Sequence, residues 1–164
     1  MNHSVLARPR TELARWLGLA AFGVVVAAAA AIGALGVGTA AEDYATLDRP
    51  SWAPPAWLFG PVWTVLYVMI AVAGWLVWRR TGLTGPAMAL FATQLVLNAL
   101  WTPVFFGLGR YGLALIVIVA MWCAIGVTVV LFRAVSRPAA ALLLPYWAWV
   151  TFATALNAAI WWAN

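Results

Sequence analysis

The chain holds few residues able to do acid–base, metal or thiol chemistry. Its 164 residues include one histidine, His3, one cysteine, Cys123, four carboxylates (Glu12, Glu42, Asp43 and Asp48) and nine arginines without a lysine. No Asp, Glu, Arg or His among them lies in the middle of a long apolar run. Proton relays, ion pathways and carboxylate or histidine catalysis rest on such groups, which are costly in hydrocarbon. One cysteine excludes an internal disulfide, and a lone histidine leaves no His/Cys cluster for zinc, copper or bis-His haem. No catalytic and no metal-ligating residue is assigned.

What remains is a sparse set of amides and rings. Gln94, Asn98 and Thr102 recur every fourth residue and share one helix face, with Trp101 and Phe105 beside it. A primary amide turned to lipid would leave donors and acceptors unpaired, so this stripe is expected to face inward. It serves either as interhelical glue, at about 0.6 kcal/mol per bond, or as part of a ligand site. Tyr146, Trp149, Ala153 and Asn157, at offsets of 0, 3, 7 and 11, form a second face. Ala153 removes volume below Trp149, and the gap reads either as room for a flat apolar molecule or as ordinary small-residue packing. Trp63 and Tyr67, four apart, share a third face. Of the twelve tryptophans, Trp16, Trp57, Trp75, Trp78, Trp161 and Trp162 lie near the ends of apolar runs and need only an interfacial-belt explanation, whereas Trp63, Trp101, Trp122 and Trp149 do not.

The elements that position these residues follow from composition. With 66% hydrophobic and 8% charged residues, the chain reads as an all-α integral membrane protein. The net charge of +5 comes from arginines scattered between apolar runs, which argues against nucleic acid. Five spans are expected, at about 13–37, 56–78, 87–106, 111–132 and 139–162, forming one compact bundle. The first resembles a signal peptide in its basic start and in Thr39, Ala40 and Ala41 at its end, but its apolar part is too long for one, so a retained helix is expected. Small residues at Ala30, Ala34 and Gly38 suggest either a close helix contact or a lipid-facing alanine run. Before the second span, Pro50, Pro54 and Pro55 remove amide donors and hold the preceding residues out of helix, so a stiff loop over 42–55 precedes a helix start near Ala56. Counting arginines, the N-terminal tail and the turns at 79–86 and 133–138 form the basic side. The positive-inside rule places that side in the cytoplasm of a cell membrane, with the acidic 42–55 loop outside; for an outer membrane the rule carries less weight.

Four stretches resemble the TspO/MBR or translocator protein family, also called the peripheral benzodiazepine receptor: Arg49-Pro-Ser-Trp-Ala-Pro-Pro55, Gly60-Pro-Val-Trp-Thr-Val-Leu-Tyr67, Gln94-Leu-Val-Leu-Asn98-Ala-Leu-Trp-Thr-Pro-Val-Phe-Phe-Gly107 and Leu144-Pro-Tyr-Trp-Ala-Trp-Val-Thr-Phe-Ala-Thr-Ala-Leu-Asn157. The resemblance implies a five-helix bundle that binds porphyrins, protoporphyrin IX above all, and isoquinoline or benzodiazepine-type drugs in a pocket open toward the first loop. By position it implies a pocket of Tyr44, Trp63, Tyr67, Asn98, Trp101, Trp149 and Ala153, with the 42–55 loop as lid and porphyrin as ligand rather than cofactor. Animal members carry a Leu-Asn-Tyr-x-x-x-Arg pattern tied to cholesterol. Here Leu156-Asn157-Ala158 through Trp162 lacks its tyrosine and arginine, which points to a bacterial, tetrapyrrole-related role. The expected partners are that small molecule, membrane lipid and a second copy as homodimer. Two alternatives stand beside a receptor: an enzyme that breaks down protoporphyrin oxidatively or with light through Trp63 and Trp149, and a scaffold in which the rings only pack helices.

Overall fold

A computed structural model describes residues 12–35 and 40–164. His3, Arg8, Arg10 and the 36–39 stretch, including Gly38 and Thr39, lie outside the described residues. The helix termini follow local chemistry. α1 (Glu12–Ala34) opens on a Glu12–Arg15 ion pair one turn apart. A short α2 (Ala40–Thr46) follows, with Glu42 and Asp43 in its first turn, where the helix dipole favours negative charge. The 42–55 segment was expected to be loop throughout; its first part is this helix instead. Pro54 and Pro55 then hold the chain extended before a 3-10 turn over Ala56–Leu58 leads into α3 (Phe59–Thr81).

α3 does not stop at Trp78 as expected. Arg79 and Arg80 occupy its last turn, where cations suit the dipole, and Gly82 ends it at φ 77 with its N–H on the Trp78 carbonyl. α4 (Pro86–Thr102) begins with proline at its first turn. Pro103 has no N–H to continue the ladder, and a π-helical segment (Pro103–Gly107) takes over, with the Leu108 N–H reaching the Pro103 carbonyl at 3.0 Å. α5 (Tyr111–Val135) and α6 (Arg137–Ala163) are joined by Ser136 alone, whose hydroxyl accepts from the Ala139 N–H at 3.4 Å. The turn expected over 133–138 is therefore a single residue. Pro145 is inside α6.

Five of these units are long and apolar enough to cross a membrane, at mean hydropathies between 1.5 and 2.8. They pack as a ring in the order α1, α3, α6, α5, α4 and back to α1. Large rings fill one end of the bundle, where Phe91 stacks on Phe132 at 5.7 Å. Gly74 is required there, since a Cβ would sit 2.5 Å from Phe91 and 2.8 Å from Phe22. α1 approaches its neighbours through Gly18, pressed against the Trp78 ring, and Gly33, against the Ala99 carbonyl. Of the two readings open for the small-residue spacing, a close helix contact or a lipid-facing run, neither describes Ala30 and Ala34, which line a cavity.

Candidate functional site

Pro54 and Pro55 fix where α3 begins, and its first turns carry Phe59, Gly60, Trp63 and Tyr67 toward the bundle axis. Opposite them, the inward stripe of α4 supplies Asn98, Trp101 and Thr102, and the π-helical segment turns Phe105 and Phe106 the same way. α6 contributes Trp149, Ala153 and Asn157; α2 covers the end with Ala40, Ala41 and Tyr44. Together these enclose a cavity of about 390 Å³, within the range of small-molecule sites. All seven residues named from the sequence (Tyr44, Trp63, Tyr67, Asn98, Trp101, Trp149 and Ala153) line this one cavity.

Its walls are aromatic. Trp63 stacks on Tyr67 with centroids 5.2 Å apart and planes at 29°. Trp149 meets Phe59 edge-on at 5.9 Å and leans on Phe152 at 5.4 Å. Trp101 packs on Phe105 at 5.1 Å and donates its Nε1–H to Asn157 Oδ1 at 3.0 Å, while Asn157 Nδ2 donates to the Tyr111 carbonyl at 2.9 Å. Asn157 is thereby spent on structure. The Trp149 indole N–H is buried without a partner, a donor whose burial costs about 1–3 kcal/mol unless something accepts from it.

The floor is a polar chain. Tyr67 O–H donates to Asn98 Oδ1 at 3.0 Å, Asn98 Nδ2 to the Tyr146 hydroxyl oxygen at 3.3 Å, and Tyr146 O–H to Gln94 Oε1 at 2.8 Å. The two sequence stripes divide along their length. Asn98 and Thr102 reach the cavity and Gln94 lies beneath it, while Trp149, Ala153 and Asn157 face it and Tyr146 is fully buried below. Trp122, singled out with the inner tryptophans, is elsewhere: its indole donates to Thr151 and packs on Trp147 at 5.3 Å.

The lid end is tied by several contacts. Tyr44 is 3% exposed and donates its hydroxyl to the Pro54 carbonyl at 3.0 Å. Arg49 lies 4.5 Å over its ring. Burial pushes the Tyr44 hydroxyl pKa up, partly opposed by the Arg49 hydrogen bond and charge. Asn164 makes two hydrogen bonds to the Asp48 backbone, at 3.2 and 3.1 Å. Trp52 packs edge-on against Phe152 at 5.7 Å and so braces the lid.

Sequence reasoning missed Ala30, Gly33 and Ala34 of α1 and Ile118 and Met121 of α5 as wall residues. The small-residue spacing on α1 carried a signal for the first group. Ile118 and Met121 carry none, being two apolar residues among many. The site offers flat aromatic surface, one amide and phenol oxygens, a set suited to holding a planar apolar molecule by stacking and a few hydrogen bonds.

Comparison with known proteins gives a consistent answer. The TspO/MBR family model matches residues 21–163. A tryptophan-rich protein TspO of Chlorobaculum tepidum is 43% identical over 121 residues, 70% of this chain and 74% of that relative. Protein CrtK of Rhodobacter capsulatus is 36% identical over 154 residues, covering 90% and 95%. The human translocator protein is 43% identical over 122 residues, 72% of each chain.

Proposed function

The chain is a multi-pass membrane protein belonging to the TspO/MBR family, and from that premise we propose that its cavity is a receptor site for porphyrins, protoporphyrin IX first, and for drug-like flat molecules. The observation that carries this reading is the 390 Å³ space walled by Trp63, Tyr67, Trp101 and Trp149. A scaffold would close such a space with side chains, because close packing is what stabilises an interior. The relatives' names, a sensory protein and translocator proteins among them, fit a protein whose purpose is to bind a small molecule. The porphyrin is a ligand on this reading, not a cofactor.

The bound molecule stacks between the α3 and α6 rings, takes a hydrogen bond from an indole or amide, and is covered by α2 and the following loop. The protein lies in a cell membrane with its N-terminus cytoplasmic. Supporting that orientation, Arg15, Arg79, Arg80, Arg133 and Arg137 gather at one end of the bundle, with Arg49 and Arg110 at the other. The exposed apolar residues Val96 and Leu100 on α4 offer a face to lipid or to a second copy of the chain.

A degradative reading has one observation in its favour: two oxidisable rings, Trp63 and Trp149, face the same cavity. Titration of the protein in nanodiscs with protoporphyrin IX separates these readings. Binding predicts saturable quenching of tryptophan fluorescence and a raised Tm, with the porphyrin spectrum recovered unchanged. A new absorbing product, lost in Trp63→Phe/Trp149→Phe, would establish the enzyme. No quenching and no thermal shift, with protoporphyrin or any other flat ligand, would return the rings to packing.

A further inference from the structure

Gln94 is the buried polar residue of α4 that does not line the cavity. It is 1% exposed, is absent from the cavity wall, and accepts the Tyr146 proton at 2.8 Å through Oε1. Its Nε2 is buried with no hydrogen-bond partner. A residue kept only to glue helices would not leave two N–H bonds unsatisfied in the interior; an apolar side chain of similar size would pack there without that penalty. What Gln94 supplies is an acceptor for Tyr146.

That acceptor sets the direction of the whole chain. With its proton on Gln94, Tyr146 has only its oxygen lone pairs to offer Asn98, so the Asn98 Nδ2 must turn toward it at 3.3 Å. Asn98 Oδ1 is then left for Tyr67, whose O–H donates to it at 3.0 Å. Both Tyr67 and Asn98 line the cavity. Tyr67 has its one proton turned away, so toward the cavity its oxygen acts as acceptor. The second N–H of Asn98, beside it, is a donor. Without Gln94 the Tyr146 proton has two other places to go: the Met121 sulfur at 3.5 Å, a weak acceptor, or Asn98 Oδ1 after the amide turns over. The second choice puts Asn98 Nδ2 on the Tyr67 oxygen and frees the Tyr67 proton for the cavity, which then presents donors only.

We infer that Gln94 is a positioning residue that, through Tyr146, fixes the Asn98 amide so that the cavity floor presents an acceptor and a donor side by side, the pattern that matches a lactam or other cis-amide edge on a planar ligand. This rests on the ligand-binding reading of the cavity. A flat lactam meets the pattern with both atoms, its N–H on Tyr67 and its carbonyl on Asn98.

The probes are 6(5H)-phenanthridinone, a planar tricyclic lactam, and its N-methyl derivative, which lacks the donor. Affinities are measured by tryptophan quenching for the full chain in nanodiscs, alongside Gln94→Met, Tyr146→Phe and the double variant. The unmodified protein is expected to favour the N–H lactam about tenfold, one hydrogen bond's worth. That preference falls to near unity in each single variant and no further in the double. The ligand-free Gln94→Met protein keeps its Tm, the unpartnered donor being gone. Equal affinities in the unmodified protein, an unchanged preference in Gln94→Met, or a further loss in the double variant would each overturn the inference. If neither lactam binds the unmodified protein, the ligand reading falls, and the ligand-free side-chain amide signals of Asn98 decide this inference alone. Their displacement in Gln94→Met, with those of Asn157 in place, supports it, and an unmoved Asn98 pair refutes it.

Discussion

Ala153 is the residue at which a ligand cavity and a packed interior demand opposite outcomes. It is 7% exposed, faces the cavity, and sits one helical turn from Trp149 on the same face of α6. Ala153→Phe places a ring in space that is empty. Melting without ligand is expected to change by less than about 1 kcal/mol, while protoporphyrin quenching falls at least tenfold. Were Ala153 a close helix contact, overpacking would cost about 1–3 kcal/mol. A destabilised variant that still binds porphyrin at the original affinity would remove α6 from the site. At this scale much of the site was legible, because side chains four apart on a helix share a face: Trp63 with Tyr67, Trp149 with Ala153. Depth was not. Gln94 and Tyr146 belong to the same stripes as Asn98 and Trp149, and only the three-dimensional course of α4 and α6 puts the first pair beneath the cavity and the second on its surface.

Among the elements, α2 is the one whose identity changes the account of the lid. The prolines at 50, 54 and 55 made the 42–55 stretch read as loop, and they do end helix there. Ala40-Ala41-Glu42-Asp43, two alanines followed by acids that suit a first turn, lies before them; its alanines read as small residues at the end of the first apolar run and its acids as part of the loop. The π-helical segment was equally out of reach: Pro103 announces a break in α4, but not that the chain continues as a wider helix aiming Phe105 and Phe106 inward. The lid makes its own prediction. Tyr44→Phe keeps the edge contact with Phe59 at 5.3 Å and removes the hydroxyl, with its bond to the Pro54 carbonyl. The loss is about 0.5–1.5 kcal/mol, expected as faster porphyrin release in stopped-flow quenching with a small fall in Tm. A tyrosine whose pKa is raised on folding stabilises the folded state below its unfolded value and loses that contribution only as pH rises through the folded one. Lid closure should thus be flat through neutral pH and weaken only above about pH 10.

For the whole molecule, chain order and ring order differ, and the difference builds the site. α3 and α4 are consecutive, yet each borders α1 in the ring, with α6 beside α3 and α5 beside α4, so Trp63, Asn98 and Trp149 converge from three helices. Span number could be read from hydropathy, whereas neighbour order could not, since it depends on which small residues admit which rings, as Gly74 admits Phe91 and Phe22. The same architecture makes orientation testable. The basic end is bound together by contacts between distant segments: the Trp75 indole donates to the Arg15 carbonyl at 2.9 Å, and Arg80 donates to the Val135 carbonyl at the end of α5. The Asn164 bonds to Asp48 join the chain at the opposite end. Gly82 and Gly109, with φ of 77 and 60, are poor cysteine positions, so exposed neighbours serve: Leu83 at the basic end, Thr46 and Leu108 at the other. The exposed Cys123 is first changed to alanine. In intact cells Thr46→Cys and Leu108→Cys are expected to react with a membrane-impermeant maleimide, and Leu83→Cys only after lysis. Reaction of Leu83→Cys alone before lysis would invert the molecule in its membrane, and with it the side on which α2 lies.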